Sequence, residues 1–363
     1  MKKVAVALLV GLLSVSGSAL AESKGGGSFW DKTTVTGQFN SSYNWNFNNP
    51  TLAAGNALRV FDARHDSFNF NLAEIALENA PNDWAKFRLD LDFGQDVAVV
   101  DATKGAGIGV DEFGVQQAYA ELTAPVGNGL TFKIGHFVTP MGYEVIESAY
   151  NLNTSRSVLF GFAIPFTHTG ILATYPVTDK FSATIGVVNG WDLIADNNKG
   201  KTVIGQLVYK AMDTLTLSVQ GSIGPEQPAA DRSMRGIVDV VGTWTPNEQW
   251  TVGVNYDLGK EQGIGGSGFP NWQGGALYVH YKPFDFVGLT LRGEVFQDDG
   301  SRTTLANLTY GEGTGTLHFY MGDGWETRVE LRHDQADRGA FVRSSGATRK
   351  YQDTVSTEIV YAF

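Results

Sequence analysis

Cysteine is absent from the chain, which removes disulfides, thiolate nucleophiles and Cys-ligated metals at once. Long apolar runs are missing too: beyond the N-terminal stretch, no segment approaches the ~18 consecutive apolar residues of a membrane-spanning helix. Histidine is scarce, six in all, at positions 65, 136, 168, 280, 318 and 333. None forms an i,i+4 pair, and Glu330 and His333 fall on opposite faces of a strand, so neither a metal nor a cofactor is expected. Basic residues are outnumbered, 27 Lys and Arg against 38 Asp and Glu, for a net charge of −11. That balance argues against nucleic acid as a partner. Gly263 to Gly268 (GIGGSG) follows no buried strand and opens no helix, which argues against a nucleotide cradle. Thr167 beside His168 comes nearest to a nucleophile and base, but strand neighbours point to opposite faces. No catalytic residue, and no enzyme, is expected.

What the chain does contain begins with MKKVAVALLVGLLSVSGSALA. Lys2 and Lys3, the apolar core Val4 to Leu13 and the small-residue site Ala19-Leu-Ala21 have the three parts of a secretory signal, residues 1–21. Residues 22–32 read as a short leader, and residues 33–363 as one barrel domain. From Thr33 the period is two. In Trp84 to Phe93, Phe87, Leu89, Leu91 and Phe93 share one face and Lys86, Arg88, Asp90 and Asp92 the other. Trp325 to His333 repeats this, with Val329 and Leu331 opposite Glu326, Arg328, Glu330 and Arg332. In Ser67 to Glu78 the parity changes: Phe68, Phe70 and Leu72 agree, but Ile75 and Leu77 do not. A β-bulge near Ala73 would reconcile them and leave Glu74 and Glu78 facing inward.

Two-faced strands fit a soluble sandwich or a transmembrane barrel, and the connections choose between them. Tight turns at Pro81-Asn-Asp83, Gly127-Asn-Gly129, Thr178-Asp-Lys180, Met212-Asp213, Pro246-Asn-Glu248, Pro283-Phe-Asp285 and Gly322-Asp-Gly324 alternate with longer polar loops. Short periplasmic turns and long extracellular loops characterise outer-membrane barrels of Gram-negative bacteria. The expected fold is therefore all-β, a transmembrane antiparallel up-and-down β-barrel of about 16 strands. Aromatics recur at strand ends (Tyr43, Trp45, Trp84, Trp244, Trp250, Tyr281, Trp325), as membrane girdles do. The final strand ends TEIVYAF, where Tyr361 and Phe363 resemble the signal read by barrel assembly machinery.

One stretch breaks the pattern. From Gly135 to Gly170 the sequence is GHFVTPMGYEVIESAYNLNTSRSVLFGFAIPFTHTG, and alternation stops for much of it. It is too apolar to be disordered and too long for an idle loop. We expect the loop around 140–166 to fold into the barrel and narrow it, with Glu144, Glu147 and Arg156 at the constriction.

This block, FDARHDSFNFNLAEIALE (Phe61 to Glu78) and TLHFYMGDGWETRVELRHD (Thr316 to Asp334) resemble the OmpL-like β-barrel porin family over nearly the whole mature chain. The resemblance implies an outer-membrane channel for ions or small hydrophilic solutes by passive diffusion, without naming the solute. It leaves open whether the chain forms a homotrimer. Expected surroundings are outer-membrane lipid and lipopolysaccharide. On the inward face the pattern places Lys86, Arg88, Lys133, Arg292, Arg328 and Arg332 against Asp90, Asp92, Glu121, Asp239, Glu294, Glu326 and Glu330. The competing reading is a structural barrel, a sheath for another component or an adhesin, without transport activity.

Overall fold

The computed structural model describes residues 28–52, 54–100, 113–263, 268–303 and 307–363. The expected signal at 1–21, most of the leader and most of the 263–268 glycine run lie outside them. The strands are β1 Thr33–Asn46, β2 Ser67–Asn82, β3 Ala85–Phe93, β4 Phe113–Ala124, β5 Leu130–Val138 and β6 Thr167–Thr178. Next come β7 Phe181–Val188, β8 Thr202–Met212, β9 Leu215–Pro225, β10 Met234–Asn247, β11 Trp250–Glu261 and β12 Asn271–Phe284. The remainder are β13 Val287–Asp298, β14 Leu308–Gly322, β15 Trp325–Ala336, β16 Phe341–Val342, β17 Thr348–Arg349 and β18 Tyr351–Ala362. β16 and β17 pair only with each other, inside the last long loop, and the other sixteen close into one barrel. Each strand pairs antiparallel with its sequence neighbours, and β1 pairs with β18 to complete the ring.

The strand pattern is inverted relative to a soluble protein. Along β13, Leu289, Leu291 and Val295 are exposed while Thr290, Arg292 and Glu294 are buried. Along β11, Val254, Tyr256 and Leu258 are exposed and Asn255, Asp257 and Glu261 buried. A closed sheet with its apolar side chains outward is stable only where the surroundings are themselves apolar. No helix among the described residues is long and apolar enough to cross a membrane; the crossing elements here are strands.

The parity change in β2 is a bulge, although not where the pattern put it. Asn40 pairs with Leu72 and Ser41 with Phe70, so Asn71 is the extra residue. Leu72 therefore belongs to the inward set with Glu74 and Ala76 and is fully buried, rather than siding with Phe68 and Phe70. A second shift leaves Gln116 unpaired between Val115 and Gln117, so both glutamines face inward.

At the turn end, aromatic side chains ring the outside. Trp250 stacks on Tyr281 at 4.3 Å and Trp325 on Tyr361 at 4.4 Å between ring centroids. Amphipathic rings suit the boundary between apolar and aqueous layers. Phe363 donates its N–H to the Gly37 carbonyl at 3.0 Å and accepts the Gly37 N–H at 3.1 Å, extending the closing seam to the last residue.

Candidate functional site

The segment between β5 and β6 departs from sheet at Thr139-Pro140, because proline cannot donate to a ladder. Its base is closed where the Thr139 N–H donates to the Phe166 carbonyl at 2.8 Å. Within it lie a 3-10 turn, Ser148–Tyr150, and a π-helical turn, Leu159–Ala163. Three polar side chains fold the segment on itself. Asn151 accepts the Val145 N–H at 3.0 Å and donates to the Val145 and Glu147 carbonyls at 2.7 and 2.9 Å. Arg156 donates to the carbonyls of Val145, Ile146 and Thr154 at 3.1, 2.5 and 3.0 Å and lies over the Phe61 ring. Glu144 accepts the N–H and hydroxyl of Ser157 at 2.7 and 2.6 Å. An irregular backbone buried away from water needs such partners for its amides.

The same segment is tied to buried side chains of the barrel wall. Glu330 accepts the N–H groups of Thr154 and Ser155 at 2.8 and 3.0 Å, and Glu294 those of Val158 and Leu159 at 2.9 and 2.8 Å. Asp239 accepts the Gly142 N–H, and Gln38 the Ala149 N–H at 3.1 Å. In the other sense, Arg292 donates to Glu144 at 2.8 Å and to the Ser155 carbonyl at 2.6 Å. Arg332 donates to the Arg156 carbonyl at 2.7 Å and Arg328 to the Ser148 carbonyl at 3.0 Å. Gln206 reaches the Pro140 carbonyl at 3.1 Å and Trp272 Nε1 the Ala163 carbonyl at 3.0 Å. These anchors sit on β1, β8, β10, β12, β13 and β15. The segment's far end is held by Asp192, which accepts the N–H groups of Phe166 and Thr167 at 2.6 and 3.0 Å. Burial pushes the Asp192 carboxyl up to about 6.

Glycines on the inner face make room for this contact. A Cβ at Gly253 would fall 2.2 Å from the Tyr143 ring, and one at Gly259 would fall 2.0 Å from the Trp272 ring. Both rings thus occupy the space that a side chain would take there. Gly259→Leu is expected to displace Trp272, break its bond to Ala163 and cost about 1–3 kcal/mol. A lowered urea midpoint of the refolded barrel would show this; an unchanged midpoint would mean the ring has space to yield.

Each residue that the sequence assigned inward can now be placed. Glu144, Arg156, Arg292, Glu294, Arg328, Glu330 and Arg332 are buried in the lattice just described. Arg292 also holds Glu312 at 2.7 Å, and Arg332 holds Asp334 at 2.7 Å. Glu326 grips Arg328 at 2.8 Å. Arg88 pairs with Asp90 at 2.9 Å. Lys133 with Glu121 (3.3 Å) and Lys86 with Glu78 (3.7 Å) are looser and more exposed. Asp92 is buried, and neither of its carboxylate oxygens meets a described donor. Glu147 is half-buried and lines a cavity of about 220 Å³ with Pro140, Ile146 and Phe166.

Sequence reasoning missed one row entirely. Thr290 Oγ1 lies 2.8 Å from His318 Nε2, and His318 Nδ1 lies 2.5 Å from Glu326 Oε1. Hydroxyl, imidazole and carboxylate in line form the skeleton of a nucleophile, base and orienter. Thr290, however, is fully buried and also shares its oxygen with His280 Nδ1 at 2.8 Å. A hydroxyl held between two imidazoles and shielded from solvent is a wall brace. Among the described residues no group of His, Asp or Glu has the geometry to hold a metal ion.

A closed barrel of sixteen strands, apolar outside and charged within, defines an outer-membrane channel protein. Residues 32–363 match the family described as "Putative beta-barrel porin-2, OmpL-like", and the chain belongs to that family. It is a porin, a channel for passive diffusion of solutes. Solved structures share the fold at low identity. The outer membrane channel DcaP of Acinetobacter baumannii aligns with a TM-score of 0.63 and 11% identity, over 94% of this chain and 99% of its own. The trimer form of OmpT, an outer membrane protein of Vibrio cholerae, gives 0.61 and 12%, over 91% and 99%. An anion-selective porin from Comamonas acidovorans gives 0.61 and 11%, also over 91% and 99%. No curated protein matches the chain in sequence.

Proposed function

We propose that the segment 139–166 lies inside the barrel and sets the narrowest point of a passive channel for ions or small hydrophilic solutes. The observation that carries this is the spread of its anchors. A single segment bonded to inward groups on β1, β8, β10, β12, β13 and β15 can reach them all only from within the ring. Solutes passing such a point are selected by its diameter and by its charge. Lipid and lipopolysaccharide would surround the apolar belt, and the assembly machinery would read Tyr361 and Phe363. Catalysis is not part of the proposal, since the hydroxyl–imidazole–carboxylate row at Thr290 is closed to substrate.

Trimer assembly is part of it, supported by the trimer form of the Vibrio cholerae relative in fold. The test is purified protein in a planar bilayer. Discrete channels that close in three equal steps are expected. Folded protein that gives no current would overturn the channel reading and favour a sheath or adhesin; single-step closure would overturn the trimer alone.

A further inference from the structure

The carboxylates of the inner wall are not evenly satisfied. Four pairs stand directly opposite each other on neighbouring strands: Glu74 and Asp92, Asp239 and Asp257, Glu294 and Glu312, and Glu312 and Asp334. Like charges in that register repel, and a sheet gains nothing from them. In the third pair the repulsion is answered by Arg292 and by the N–H groups of Val158 and Leu159. In the first it is not. Both oxygens of Asp92, Glu74 Oε2 and the neighbouring Asn71 Oδ1 are buried and receive no hydrogen bond from a described residue. All four are acceptors. Asp92 also lines a small cavity beneath the helical turn Val97–Val100, and it lies within Coulomb range of Glu74, Asp90, Asp96 and Glu147.

The lumen's arginines offer these groups little. Arg59, Arg235, Arg292, Arg328 and Arg332 are each committed to other carboxylates, and Arg88 to Asp90. Arg156 and Arg302 spend their donors on carbonyls of the segment. The anchors also leave this side of the ring: they fall on β8 through β15, on β18 and on β1, whereas Glu74 and Asp92 stand on β2 and β3.

We infer that the channel is cation-selective, and that passing cations are drawn by the summed field of Glu74, Asp92 and Asp96 on one side and Glu147 of the segment on the other, without being coordinated. This rests on the channel reading above. An acidic wall bounded by a low-dielectric sheet concentrates counter-ions and excludes anions. Burial, opposed by nearby Arg156, pushes the Asp96 carboxyl up to about 7. The charged groups around it are Glu74, Arg88, Asp90 and Asp92 on the wall, Glu147 and Arg156 on the segment, and Asp62 and Glu358 beyond. As pH falls through about 7 Asp96 takes up a proton, and the cation preference weakens.

The experiment is the reversal potential across a potassium chloride gradient, for the intact chain and for Asp92→Asn, Glu74→Gln and their double variant. Each replaces a buried uncompensated charge by a near-isostere, so folding is retained, as heat-modifiable mobility in detergent gels would verify. The intact chain is expected to favour potassium, and the double variant to lose most of that preference while still conducting. An anion-selective or unselective intact channel, or variants with unchanged reversal potential, would overturn the inference and leave the channel reading standing. A silent bilayer would instead fail the channel reading and this inference with it.

Discussion

Replacing residues 143–158 with a short Gly-Ser linker is expected to raise single-channel conductance severalfold. The excised residues carry Glu144, Asn151, Arg156 and Ser157, which fold the segment, and the backbone groups that Glu294, Glu330, Arg328 and Arg332 hold. Without them the inner wall keeps its pairs Arg292–Glu312 and Arg332–Asp334 but loses its bonds to the segment. Water then solvates the freed carboxylates, and sixteen strands enclose an open aqueous passage. The measurement is conductance in a planar bilayer beside the intact chain, with heat-modifiable mobility confirming a folded barrel. Equal conductance in a folded deletion would place the narrowest point elsewhere.

Arg292→Met is expected to produce the largest loss of stability from any single substitution in the lattice. The guanidinium is fully buried and joins Glu312 on the wall to Glu144 and the Ser155 carbonyl on the segment. Removing one member of a buried ion pair strands its partners, a loss of about 3–5 kcal/mol in proteins where it has been measured. Urea unfolding of the barrel in liposomes would read it. The double variant Arg292→Met/Glu312→Met should recover part of the loss, because the stranded carboxylate goes too. A single variant within about 0.5 kcal/mol of the intact chain would mean that Arg332, 3.7 Å from Glu312, takes over the contact.

The strands were legible because a period of two survives in any sheet that has different solvents on its two faces. Phe87, Leu89 and Leu91 against Arg88, Asp90 and Asp92 show that period without reference to the rest of the chain. Turns were legible for a similar reason, since Pro81-Asn-Asp83 or Gly127-Asn-Gly129 encode a local backbone shape. The bulge in β2 was detectable but misplaced by two residues. Leu72 is apolar like its outward neighbours Phe68 and Phe70, so composition could not reveal that it had turned inward. The long loop was recognisable by its broken pattern, and Glu144 and Arg156 by their charge. Their partners were not. Glu294 and Glu330 bind backbone N–H groups, which every residue but proline carries, so no sequence signal marks the match. Thr290, His318 and Glu326 stand on three successive strands and come together only through sheet register. Spacing along the chain is blind to that.

The seam between β1 and β18 has a consequence for the chain's connectivity. Gly37 and Phe363 exchange backbone hydrogen bonds like any interior pair, so the two ends of the barrel's polypeptide are neighbours at the turn end. Such ends can be joined covalently and the ring opened elsewhere. A circular permutant that links Phe363 to the start of β1 and begins after Asn128 would preserve every strand pairing of the ring. In that topology the carboxyl terminus no longer lies beside Tyr361 and Phe363. Whether the permuted chain still reaches the outer membrane would test whether the shape of the barrel suffices or a terminal Tyr361 and Phe363 are needed.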